Sequence, residues 1–167
     1  MIGLWLNAEY RHEDWSVSGR LDELANLLRR VHLPSTTTRL PRSLTEYSKY
    51  KGNEFRSLLL FGHVIFKQVL RKRFYNHLLQ LVVLMHIAES RKIEERDIGL
   101  VARLSFSFVV KFLQLYTERH CVQVIHSITH IAATLHDFGP LTNFTTFQFE
   151  NDLGRFPFCD YFTKHLA

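Results

Sequence analysis

Apolar residues recur every three or four positions along most of the chain, and this period restricts the possible folds more than any other feature. One such set, in residues 97–118, consists of Ile98, Val101, Leu104, Phe108, Phe112 and Leu115. This spacing aligns side chains on one face of a helix. Only 7 glycines and 4 prolines occur among 167 residues, which disfavours a turn-rich β-sandwich. The sequence therefore predicts a mostly α fold, a helical bundle.

The same period predicts where the helices lie. The expected segments are residues 20–32, 53–72, 73–90, 97–118 and about 121–138. Ser43 and Glu46 match a capping box, so a short helix is expected to begin there. The segment 73–90 is apolar nearly all round, which predicts a central helix. The last helix is expected to stop before Gly139 and Pro140.

These segments divide the chain into three parts. Residues 1–16 are predicted to be an irregular N-terminal lead, 17–138 a helical domain, and 139–167 a short irregular or β return segment. The longest apolar runs cover about four or five residues, too few to span a bilayer. No signal-peptide pattern opens the chain, so we expect an intracellular protein without a membrane segment.

Positive charge is concentrated in residues 39–73, with nine basic and two acidic side chains. Such a cluster can contact nucleic-acid phosphates. The candidate nucleic-acid-binding residues are Arg56, Lys67, Arg71, Lys72 and Arg73. Two other interpretations stay open. The cluster can be a solvated face of the bundle, or a helix end where cations suit the dipole.

His126 and His130 are the candidate metal ligands, because a spacing of four puts both imidazoles on one helix face. Three interpretations compete. The pair can be incidental, or belong to a zinc peptidase with Glu150 as third ligand, or to a nuclease-type metal site. The peptidase motif needs Glu where this chain has Ser127, and serine cannot act as the general base.

The third interpretation comes from a set of short motifs over residues 9–155. In order these are EYRHEDWS (9–16), RLPRS (39–43), KGNEFR (51–56), YNH (75–77), HSITH (126–130), FGPL (138–141) and FQFE (147–150). Together they resemble the C-terminal part of CACTA/Transib-like DNA transposases, the group that includes the catalytic subunit of the V(D)J recombinase.

The resemblance implies roles for particular residues. In that family three acidic residues on an RNase H-like core bind two Mg²⁺ or Mn²⁺ ions for DNA cleavage and strand transfer. A helical insertion before the third acid carries a Cys pair and a His pair for structural Zn²⁺. By motif, Glu150 is the third acid, and His126 and His130 are the zinc-ligating histidines. The resemblance also implies a nuclear protein that binds DNA.

Departures from the family pattern limit what this chain is expected to do. Its first two catalytic acids would belong to a transposase core upstream of Met1, and a C-x-x-C pair is missing. One carboxylate cannot hold two metal ions. We therefore predict a transposase-derived fragment that is inactive alone. The alternative is a non-enzymatic helical module that binds nucleic acid or a partner protein through the basic 39–73 region.

Overall fold

The structure is a computed structural model that describes residues 1–32, 34 and 41–143. In this part of the chain every regular element is helical, which confirms the predicted mostly α class. The α-helices are α1 (Ile2–Leu6), α2 (Leu21–Arg29), α3 (Gly52–Leu60), α4 (Lys72–Ala88), α5 (Glu95–Leu115), α6 (Gln123–His126) and α7 (Ile131–Phe138). Short 3₁₀ turns join several of them.

An antiparallel pair, α4 and α5, forms the centre of the fold. Gln80 on α4 donates a hydrogen bond to the Leu104 carbonyl on α5 (2.9 Å), and α7 packs against another side of α5. Glu94 and Asp97 form a capping box at the start of α5. The sequence predicted both helices to within two or three residues at each end, because each carries a long unbroken apolar period.

The first sixteen residues, which the sequence predicts to be an irregular lead, contribute to the same core. Besides containing α1, they bury Trp5 and Trp15. The Trp5 indole N–H donates to the Tyr116 hydroxyl over 2.9 Å, and the Trp15 ring lies 5.5 Å from the Tyr116 ring. The amide of Val17 donates to the Trp5 carbonyl (2.8 Å). The N-terminal segment therefore closes one side of the helix pair.

The predicted helix over 53–72 is in fact two elements. The α-helix ends at Leu60, and a 3₁₀ turn follows at Gly62–Gln68. A Cβ atom on Gly62 would lie 2.8 Å from Leu58 Cδ1 and 3.1 Å from Leu28 Cδ1. A side chain at this position would therefore displace the ends of both leucine side chains where the chain changes direction.

The predicted helix over about 121–138 is also broken. A 3₁₀ turn, Ser127–His130, separates α6 from α7. Ser127 Oγ donates to the Val124 carbonyl (2.8 Å), and Thr129 Oγ1 donates to the His126 carbonyl (2.7 Å). Such hydroxyl bonds to nearby carbonyls compete with the regular helix. The predicted exit is confirmed, since α7 ends at Phe138 and Gly139 has a φ of 75°.

One face of α5 is apolar and exposed. Phe106 is 67% exposed, whereas Phe108 and Phe112 on the same helix are fully buried. By length and composition alone α5 could cross a membrane, with a mean hydropathy of 1.6 over its most apolar stretch. A single helix of this kind is weak evidence for a membrane location.

Candidate nucleic-acid interface

Arg56 lies apart from the other predicted nucleic-acid-binding residues. Its guanidinium makes two hydrogen bonds to the Glu89 carboxylate, one of them 3.0 Å between Nε and Oε1. The Glu89 side chain is only 8% exposed. Glu89 directly follows α4, whereas Lys72 begins it, and these ends are roughly 24 Å apart at 1.5 Å per residue. Arg56 therefore forms an intramolecular ion pair with Glu89 at the C-terminal end of α4, far from Lys72.

Arg71, Lys72 and Arg73 lie at the N-terminus of α4. Arg71 is the N-cap residue and makes no side-chain capping bond, and the first turn holds no acidic residue. The N-terminus is the positive end of the helix dipole, where cations are unfavourable and anions are favourable. The interpretation that these cations suit a helix end is therefore wrong, because the end they occupy begins a helix. This cluster of positive charge favours an anion.

Within the protein that anion is Asp14. Its two carboxylate oxygens contact different arginines, Oδ1 with Arg71 Nη1 at 2.7 Å and Oδ2 with Arg73 Nη2 at 2.5 Å. The Arg73 guanidinium also lies 4.8 Å from the centre of the Phe74 ring, a cation–π distance. Asp14 and both arginines are more than half exposed, so this ion-pair cluster lies at the surface.

Lys67 and Lys72 line an open depression of about 440 Å³ together with Tyr75, Asn76 and Leu79. In the part of the chain that the structure describes, neither lysine forms an ion pair. Burial raises the pKa of the Tyr75 hydroxyl, which therefore stays protonated at neutral pH. Two ammonium groups, an amide and a hydroxyl form a donor-rich set suited to phosphate oxygens.

Sequence reasoning missed three residues of this surface. Tyr75 and Asn76 are three and four residues after Lys72, so helical spacing alone could have placed them on its face. For Asp14 no such signal exists, because 59 positions separate it from Arg73. Only the packing of the N-terminal segment brings the two together.

The predicted metal ligands His126 and His130 are neighbours in space despite the break between α6 and α7. Their ring centres are 5.3 Å apart and the rings are nearly perpendicular, with both side chains exposed. No group of three or more His, Cys, Asp or Glu side chains that could hold a metal occurs among the described residues. Two imidazoles are half of a tetrahedral zinc site, so the described residues alone do not fit structural zinc.

Two predicted functional residues lie outside the described residues. Glu150, the predicted third catalytic acid, is one, and the role of Mg²⁺ or Mn²⁺ that depends on it stays a prediction. Arg39, the first cation of the basic 39–73 region, is the other.

Comparison of the chain with protein-family models, with curated proteins and with solved structures gave no match.

Proposed function

We propose that this chain is a non-enzymatic helical module that binds the phosphate backbone of DNA through a surface at the N-terminus of α4. This surface consists of Lys67, Arg71, Lys72 and Arg73 with Tyr75 and Asn76. The observation that carries the proposal is the position of Lys67 and Lys72, which form no ion pair with any described residue, in one donor-lined depression at the positive end of a 17-residue helix.

Three features support a phosphate ligand over a purely solvated charged face. The lysines converge on a concave site, whereas a solvated face spreads its cations apart. The helix dipole adds positive potential at the same place. Hydrogen-bond donors that carry no charge, on Tyr75 and Asn76, line the site beside the cations. Contacts of this kind recognise the nucleic-acid backbone and carry no base sequence information.

The proposal is tested by fluorescence anisotropy of a labelled 20-base-pair DNA duplex at several salt concentrations. We expect the double variant Lys67→Glu/Lys72→Glu to bind at least about tenfold more weakly at moderate salt. The slope of log affinity against log salt should fall by about 2, since each lost phosphate contact removes about 0.9.

The matched control is Arg91→Glu/Lys92→Glu, which changes the net charge equally at the far end of α4. It should bind nearly as the wild type does. Equal loss in both double variants would show that only total charge matters, and would overturn the proposed site. Tighter binding to an RNA duplex of the same length, or to anionic vesicles, would overturn DNA as the partner.

We also propose, as a second candidate, that the module derives from a transposase of the CACTA/Transib type. The juxtaposition of His126 and His130 favours it, because the rings are adjacent although no single α-helix holds them. Sequencing the full transcript is the test. An upstream sequence that encodes two strand-borne Asp residues and a C-x-x-C pair is expected, whereas upstream DNA that encodes neither, in an open or an interrupted frame, would contradict this origin.

A further inference from the structure

Asp14 is held in place by its neighbours more firmly than its exposure suggests. Trp15, the next residue, is buried against Tyr116, with ring centres 5.5 Å apart. Two residues further, the Val17 amide bonds to the Trp5 carbonyl at 2.8 Å. These contacts fix the backbone of this segment against the core. The carboxylate is therefore presented to α4 by a rigid support.

The carboxylate occupies both arginines at once. One oxygen contacts Arg71 and the other contacts Arg73, at 2.7 and 2.5 Å. An anion that bridges two guanidinium groups through two oxygens is also how a phosphodiester would bind them. Asp14 is 53% exposed and the arginines are 64% and 52% exposed, so an incoming DNA strand can reach all three groups.

We propose that Asp14 is a built-in competitor that occupies a DNA phosphate position between Arg71 and Arg73. This inference rests on the proposed DNA-binding function and adds its regulation. Lys67 and Lys72 provide the open part of the surface, and the arginine pair is available only when Asp14 is displaced. An exposed ion pair contributes little to stability, so DNA can displace the carboxylate, at the cost of reduced affinity.

The test compares Asp14→Asn with Glu13→Gln in the same duplex titration. Both variants remove one negative charge from adjacent exposed positions. Asp14→Asn should bind about 3- to 10-fold more tightly at moderate salt, because DNA no longer has to displace a carboxylate from the two arginines. Glu13→Gln should show a much smaller gain, because no ion pair of Glu13 with a described residue has to be broken.

A third variant separates the direct effect from general electrostatics. In an Arg71→Gln/Arg73→Gln background, Asp14→Asn should give no gain beyond that of Glu13→Gln. An equal gain there, or weaker binding by Asp14→Asn in the wild-type background, would overturn the inference. Thermal melting of each variant verifies that it is folded.

The two proposals fail differently. If Lys67→Glu/Lys72→Glu weakens binding while Asp14→Asn changes nothing, the DNA-binding function stands and the competitor role is wrong. If neither the wild type nor Asp14→Asn binds the duplex, both are wrong. If the charge-reversed lysines have no effect but Asp14→Asn still binds more tightly, the arginine pair is the site and the lysine depression is not.

Discussion

At the scale of single residues, His77 is the least exposed ionisable side chain among the described residues. It is 2% exposed on α4, and its ring stacks on Phe108 with centres 4.2 Å apart. Nε2 donates to the Phe108 carbonyl at 2.9 Å, while Nδ1 has no partner in the described part of the chain. Burial lowers the pKa of His77 to about 4, and the charge of Lys111 acts in the same direction. At neutral pH the ring is therefore uncharged.

This environment predicts acid sensitivity of the fold. The unfolded chain protonates His77 near its ordinary pKa of 6.5, whereas the folded chain protonates it only near 4. The contribution to stability is thus fully present above about pH 6.5 and is lost as the pH falls toward 4. The full loss, reached below pH 4, is about 3 kcal/mol, because each tenfold change in proton affinity corresponds to 1.36 kcal/mol. Urea denaturation at several pH values between 7.5 and 4.5 measures it.

The control for this prediction is His77→Phe, which keeps an aromatic ring but cannot bind a proton. It can be less stable at neutral pH because it loses the bond to Phe108. Its stability should nevertheless fall less steeply between pH 6.5 and 4.5 than that of the wild type. Parallel curves for the two proteins would assign the acid sensitivity to carboxylates instead.

At the scale of elements, α5 has one buried face and one exposed face, and both carry apolar side chains. Phe108 and Phe112 face α4 and are fully buried, whereas Phe106 is 67% exposed. The difference follows from helical geometry, since a step of two residues rotates a side chain by about 200°. An apolar residue in an apolar helix can therefore be assigned to the core only when the helix face on which it lies is known.

The two phenylalanines make a matched pair for mutation. We expect Phe108→Ala to lower the free energy of unfolding by about 3–5 kcal/mol, because it leaves a cavity and removes the stack on His77. Phe106→Ala makes the same chemical change two positions away and should cost less than about 0.5 kcal/mol. Chemical denaturation of both variants at pH 7.5 measures the difference, and similar losses would contradict the described orientation of α5.

The bounds of a helix could be predicted where they depend only on the apolar period of its own sequence. An unbroken apolar period over α4 and α5 needs no tertiary information. The breaks at Gly62 and at Ser127 are different. At the first, Gly62 packs close to Leu28 of another helix, and at the second, side-chain hydroxyls donate to carbonyls three residues earlier. Neither effect alters the hydrophobic period from which the sequence prediction was made.

At the scale of the whole molecule, the sequence predicted where the basic region lies, but not which of its cations form ion pairs. Local composition indicated that residues 39–73 carry the charge. Which cations stay available depends on acids distant in sequence, with Glu89 on Arg56 and Asp14 on Arg71 and Arg73. These pairings arise only when helices pack, so the candidate site could be predicted as a region and not as a set of contacts.

The bond between Trp5 and Tyr116 has a consequence for the order in which the protein folds. It joins residues 111 positions apart, so a loop of that length must close before the bond can form. The α4–α5 hairpin involves much shorter loops and is expected to form first. Since both tryptophans of the chain lie in the N-terminal segment, their fluorescence should follow the later step, when this segment packs against the C-terminal end of α5.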